Sequence, residues 1–204
     1  MTLYQRLLGI PFVYDKVRPF VVGGIDMAPV YAALECKPDD VVLDIGCGTG
    51  VALNHLGAFS NYLGIDTDPV AIAAARRHHG GRANARFECK LCTPEDIQAL
   101  KPSLVVLAGL LHHLSDEDSI ELLALLRKSP SIRRAVALDI IYLDGVEHLV
   151  SNAFAALDRG RFCRRREGYI QLLEKARVRL VKDELLWASP NSRRARYILM
   201  TLIG

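Results

Sequence analysis

The segment Val42-Leu-Asp-Ile-Gly-Cys-Gly-Thr-Gly50 concentrates residue types suited to holding a ligand against backbone. Glycine removes the side chain where a chain must turn sharply and approach a bound molecule closely. The spacing is Gly46-x-Gly48-x-Gly50, with an acid two residues ahead at Asp44. A dinucleotide fingerprint needs glycine at relative positions one, three and six. Here the sixth position is Val51. A carboxylate beside the loop would also repel a pyrophosphate. Asp44 instead favours a cation or a hydrogen-bond donor. A second acid, Asp66, ends the next apolar run, where a carboxylate can accept both hydroxyls of a ribose.

A ligand with an ammonium, a sulfonium, an adenosine ribose and no phosphate meets these demands, and S-adenosylmethionine is such a ligand. The segment resembles motif I of class I methyltransferases. Leu63-Gly-Ile-Asp66 resembles their acidic motif after the second strand, and Leu110-Leu-His-His-Leu-Ser-Asp116 a segment common in their small-molecule branch. The resemblance covers roughly residues 40 to 140. It implies that S-adenosylmethionine is the cofactor and S-adenosylhomocysteine the product. Asp44, Gly46, Cys47, Gly48, Asp66, Thr67, Leu91, Cys92 and Ala108 are the cofactor-binding positions it implies. One feature departs from the family. An acid often follows the third strand, near the adenine, but Leu91 and Cys92 stand there. Adenine contact then falls to backbone groups, or to Glu95 or Asp96.

Methyl transfer is an in-line displacement, so the enzyme mainly aligns donor and acceptor and excludes water. A proton must also leave an oxygen or nitrogen acceptor, and histidine suits that near neutral pH. His112 and His113 follow the fourth strand, at the carboxyl edge where such ligands bind. They are the catalytic candidates, His112 the better one. Packing or capping of the local turn is the alternative for each. Cys89 and Cys92 form a lone CxxC, short of the four ligands zinc wants, and read as packing or cofactor-lining residues. No metal site is expected. His78 and His79 end a helix and suit its dipole at the surface. His55 and His148 have no evident partner.

Two further segments bear on the acceptor. Phe12-Val-Tyr-Asp-Lys-Val-Arg18 precedes the first core helix, and in similar enzymes such a segment folds over the cofactor. Tyr14 and Arg18 are therefore substrate candidates, against a plain edge helix packed through Phe12, Val13 and Val17. Between the fifth strand and the last two, Arg159, Arg161, Arg164, Arg165 and Arg166 lie close in sequence. They suit a phosphate, carboxylate or carrier-protein surface, with Arg159, flanked by Asp158 and Gly160, the leading substrate candidate. A solvated basic face explains them equally well.

These residues need a scaffold that brings strand ends together. Short apolar runs at Val41–Leu43, Tyr62–Ile65, Arg86–Cys89, Leu104–Leu107 and Ala135–Ile141 read as parallel strands buried on both faces. Helices are expected at Ala28–Cys36, Val51–Phe59, Pro69–His79 and from Ser115, a plausible N-cap, to Lys128. Val146–Leu157 and Arg166–Ala176 read as two more helices. Val178–Trp187 and Ala195–Ile203 read as an antiparallel hairpin turning at Ala188-Ser-Pro-Asn-Ser192. The expected fold is α/β: a Rossmann-like, doubly wound, seven-stranded sheet of five parallel strands plus a C-terminal antiparallel hairpin, with helices on both faces. One domain spans 1–204, with 1–26 as an N-terminal lid or helix and 142–177 contributing to the acceptor pocket.

Composition bounds the rest. The chain has 204 residues, half of them hydrophobic, about one domain's worth. A net charge of +3 implies no nucleic-acid partner by itself. Residues 159–196 are more basic, with twelve Lys or Arg against four Asp or Glu. No aromatic interleaving of the kind that single-strand binders use accompanies them. The longest apolar run, Leu104–Leu111, is too short to span a bilayer. The odd cysteine count suits reduced thiols. The expectation is a cytoplasmic, monomeric or homodimeric enzyme that methylates a small molecule, anionic acceptors included, with nucleic-acid or membrane partners disfavoured. An RNA or protein methyltransferase, and a non-catalytic cofactor-binding regulatory module, stay open as alternatives.

Overall fold

A computed structural model describes residues 25–157, 161–189 and 192–203 of the chain. Seven strands, β1 (Val41–Ile45), β2 (Asn61–Asp66), β3 (Ala85–Cys89), β4 (Leu104–Ala108), β5 (Arg134–Ile140), β6 (Arg179–Ser189) and β7 (Ser192–Ile203), form one sheet. Its order is β3-β2-β1-β4-β5-β7-β6. The first five are mutually parallel, and β7 runs antiparallel to both β5 and β6. This is the expected Rossmann-like sheet with its closing hairpin. Pro190 and Asn191 of the expected turn lie outside the described residues.

Strand order reverses between β1 and β4, where connections leave in opposite directions and open a crevice at the carboxyl ends. Among the described residues six helices cover the sheet: α1 (Ala28–Leu34), α2 (Pro69–His79), α3 (Pro94–Leu100), α4 (Asp116–Arg127), α5 (Leu149–Leu157) and α6 (Arg166–Ala176). One apolar layer joins Val30, Leu34, Ile72, Ala75 and Ala155 to Val42, Leu104, Val106 and Tyr197. The other joins Ile97, Leu123, Leu126, Tyr169 and Leu172 to Leu43, Ile65, Val105 and Met200. Neighbouring residues of β1 and β4 thus serve opposite layers, which is why these strands are apolar throughout rather than alternating.

Helix starts follow local chemistry. The Asp68 carboxylate accepts from Val70 N at 2.8 Å to open α2, and Ser115 Oγ accepts from Asp118 N at 3.1 Å to open α4. Helix α3 has no counterpart among the expected elements. It begins with a capping box, Thr93 and Asp96 exchanging side-chain and backbone bonds. The expected helix Val51–Phe59 is instead a single 3-10 turn, Val51–Asn54. Its N-cap, Gly50, offers no side chain, Val51, Asn54 and His55 are indifferent helix formers, and Gly57 follows at once.

At the amino ends of the strands, Asp40 is 5 % exposed. It accepts from Ser103 Oγ at 2.7 Å and from Arg133 Nη2 at 2.6 Å. Burial opposes its charge, but these donors and Lys37 N hold the carboxyl below its usual range. A depressed folded-state value stabilises above the unfolded one and is lost as pH falls. Asp40→Ala should therefore cost about 2–3 kcal/mol at pH 7, the range for lost hydrogen bonds to a charged group. Urea unfolding at pH 7 and pH 3 should show the penalty shrinking at the lower pH; an equal penalty at both would contradict the charged role.

Candidate functional site

The glycine loop leaves β1 at the switch point. Gly46 N and Cys47 N both donate to Ile65 O, at 2.8 and 3.1 Å, tying the loop to β2. Gly46, Gly48 and Gly50 all take left-handed φ angles of 77°, 53° and 78°, which side chains rarely tolerate. A Cβ on Gly50 would also lie 2.9 Å from the Phe87 ring and 3.0 Å from His79 Cδ2. At Gly48 a Cβ would meet nothing within 4 Å, so this turn of backbone faces open space. Across the crevice, Gly109 (φ 72°) follows β4 and lets the chain fold back, bringing the Leu110 side chain over Gly46.

Asp66 sits half-buried at the end of β2 and is tied to this loop. One carboxylate oxygen accepts from Gly48 N at 2.8 Å and the other from Asp68 N at 2.9 Å. Each carboxylate oxygen has a further lone pair for an outside donor. This acid therefore fixes the loop, a function its position in sequence did not suggest. Thr67 beside it is half-buried.

Asp44 is 3 % exposed on β1. Tyr62 Oη donates to it at 2.7 Å. Burial, opposed by the Tyr62 hydrogen bond and reinforced by the Asp66 charge, raises its pKa to about 7. Among the described residues no cationic side chain pairs with it. A buried carboxylate without such a pair, on the strand that leads into a glycine loop, suits a cationic group on a ligand. Cys47, 7 % exposed, packs with its Sγ toward Gly64. Burial and the Asp44 charge push its thiol far up, leaving it an inert packing group.

Beyond β3, Leu91 is 47 % exposed and Cys92 half-buried. Burial pushes the Cys92 thiol up to about 12, and its Sγ lies 4.0 Å from Thr93 O. Cys89 Sγ donates to Thr67 O at 3.7 Å. The two cysteines thus bond to separate local carbonyls, and among the described residues no metal-binding cluster forms. Asp96, one alternative for the adenine, is committed elsewhere: one oxygen pairs with Lys90 Nζ at 2.6 Å and the other accepts from Thr93 N at 3.0 Å. Ala108, half-buried, ends β4.

The histidines separate sharply. His112 is fully buried, its Nδ1 2.6 Å from Asp139 Oδ1 on β5, and its backbone N donates to the same oxygen at 3.1 Å. The pair locks the turn after β4 to β5. Burial raises the Asp139 pKa, and its bonds with His112 oppose that rise. His113 is exposed, its ring centroid 4.1 Å from that of His112. His79, expected at the surface, is 8 % exposed because Gly50 leaves room for it beside Phe87.

The arginine stretch is largely consumed internally. Arg164 bonds the carbonyls of Leu111, Phe162 and Leu114 and pairs with Asp116 at 2.7 Å. Arg165 pairs with Asp144 at 2.8 Å, and Arg166 forks onto Asp183 at 2.6 and 2.8 Å. Only the exposed Arg161 of the described four makes none of these bonds. Through Phe162 N to His112 O at 3.0 Å, residues 161–165 are stapled to the turn after β4. Tyr14, Arg18 and Arg159 lie outside the described residues.

Comparison with known proteins agrees with this architecture. Residues 43–137 match the family model described as a methyltransferase domain. A Mycobacterium tuberculosis protein named as a methyltransferase is 45 % identical over 49 residues, 22 % of this chain and 30 % of that protein, so the match spans under a third of the relative's length. A SAM-dependent methyltransferase from Leishmania major superposes with a TM-score of 0.67 at 17 % identity, covering 98 % of this chain and 82 % of that one. A geranyl diphosphate C-methyltransferase from Streptomyces coelicolor, solved with S-adenosyl-L-homocysteine, gives 0.62 at 14 %, covering 85 % and 73 %. Residues 43–137 thus match a methyltransferase-domain model, within a chain that shares the overall fold of these solved structures.

Proposed function

We propose that the chain is an S-adenosylmethionine-dependent methyltransferase with a small-molecule acceptor. The observation that carries this reading is the acid pair at the switch point: Asp44, buried without a cationic partner among the described residues, and Asp66, set at the edge of a glycine loop whose backbone faces open space. Asp44 would attract the ammonium of the methionine part, and Asp66 would accept the ribose hydroxyls. Gly46 and Gly48 would let the backbone approach, with Cys47, Thr67, Leu91, Cys92 and Ala108 lining the cradle. When bound, the cofactor supplies a methyl group made electrophilic by its sulfonium. Similar folds solved with S-adenosylhomocysteine or S-adenosylmethionine lend support.

The acceptor side rests on His113 and on the segment after β5. His112, the candidate preferred from sequence, is fully buried, so the exposed His113 would be the one to take a proton, while His112, bonded to Asp139, would position the turn that carries it. Arg161 remains exposed and suits an acidic acceptor. Among the described residues no helix is long and apolar enough to cross a membrane.

Asp66→Ala should weaken binding of S-adenosylmethionine by roughly 10- to 100-fold, from one or two lost hydrogen bonds to a charged group. Circular dichroism should stay unchanged. Unaltered affinity in titration calorimetry would remove Asp66 from the site.

A further inference from the structure

Helix α5 presents an apolar stripe to solvent. Val146, Leu149 and Val150 are 82, 66 and 61 % exposed, and Ala153 is exposed as well. Their i, i+3, i+4, i+7 spacing puts them on one side of the helical stretch that starts with the 3-10 turn Val146–His148. The other side is fully engaged. Ala155 and Ser151 are buried, Ser151 Oγ accepts from Arg196 N at 3.0 Å, and Asn152 bonds both backbone groups of Leu143 at 2.8 and 2.7 Å. The helix is therefore held rigidly on β7 while a contiguous apolar side faces away from the sheet. Scattered apolar residues at a surface are ordinary, but a stripe of this kind marks a contact site.

We propose that the stripe is the docking site of the chain's own amino-terminal segment, residues 1–24, through the side bearing Leu3, Tyr4, Leu7 and Leu8. Thirteen of these 24 residues are hydrophobic, too many for a solvated tail. Leu3, Tyr4, Leu7 and Leu8 recur in sequence at the spacing that one side of a helix would need to meet the stripe of α5. The segment also joins the described chain in the right place. Asp26 N donates to Ala188 O at 2.6 Å, next to Trp187. Trp187 pairs in register with Arg196, which bonds Ser151 of α5. This relay puts Asp26 about 15 Å from α5 along adjoining strands, while 24 residues reach about 36 Å even as helix. The segment carries three basic residues against one acid, and Glu147, its side chain 67 % exposed, borders the stripe.

The test is hydrogen exchange on the full chain and on two variants, Leu149→Lys and Leu7→Lys, with sedimentation velocity alongside. Amides of residues 3–8 should be protected at least roughly tenfold over an unstructured peptide in the wild type. Each variant should abolish that protection and leave β1 and β4 amides unchanged. Exchange at the unstructured rate in the wild type would overturn the proposal. So would retained protection in Leu149→Lys, or a wild-type dimer that Leu149→Lys dissociates while residues 3–8 stay protected, which would assign the stripe to a second copy.

Discussion

Asp44→Asn is expected to weaken S-adenosylmethionine binding by roughly 10- to 100-fold and, at the same time, to make the ligand-free protein more stable at pH 8. Both effects have one cause. The Asp44 carboxylate is buried, its one close donor among the described residues is the Tyr62 hydroxyl, and its pKa is raised to about 7. A carboxyl whose folded-state value lies above its unfolded one costs stability as pH rises between the two, here from about 4 to about 7. At about 1.4 kcal/mol per unit the penalty at pH 8 is on the order of 2–4 kcal/mol. Asparagine keeps an acceptor for Tyr62 and removes the charge, so urea unfolding at pH 8 should show a gain of about 1–3 kcal/mol. The wild type should bind the cofactor about tenfold more weakly at pH 6 than at pH 8, because the carboxyl must lose its proton to meet an ammonium. A less stable Asp44→Asn protein, or a pH-independent wild-type affinity, would contradict this role.

Asp139→Ala should produce the largest loss of stability, about 3–5 kcal/mol, the cost of removing one partner of a buried polar pair and leaving the other unsatisfied. Two donors of His112, its ring and its backbone N, converge on one Asp139 oxygen, and both residues are fully buried. Asp139→Asn leaves an oxygen for the backbone donor and should cost about 1–2 kcal/mol. Chemical denaturation of both variants gives the comparison. A loss under about 1 kcal/mol for Asp139→Ala would mean the turn after β4 is held by something else, and the Arg164 bonds to Leu111 and Leu114 would be the first to examine.

The glycine loop and its two acids were legible because their chemistry depends on spacing within a few residues and on one strand end. The parallel strands were legible for a similar reason, since burial on both faces leaves continuous apolar runs. Asp139 was not. It lies inside the apolar run Ala135–Ile141, where a lone acid carries no periodic signal, and only the fold brings it beside His112. The arginines misled for the same reason. Their partners Asp116, Asp144 and Asp183 are 48, 21 and 17 residues away, so in sequence the arginines look available for a ligand. Helix α3 carries a local signal, the Thr93-Pro-Glu-Asp96 capping box, whose acids read equally as adenine contacts. His79 shows the converse, a helix-end histidine drawn inside by the space that Gly50 leaves.

On this reading the switch-point crevice holds S-adenosylmethionine rather than a dinucleotide. Titration calorimetry of the full chain at pH 8, against S-adenosylmethionine, S-adenosylhomocysteine and NAD in turn, tests it most directly. Saturable binding of the first two is expected and no comparable heat from NAD, since Asp44 beside the loop would meet its pyrophosphate with like charge. Tight NAD binding without measurable S-adenosylmethionine binding would contradict it.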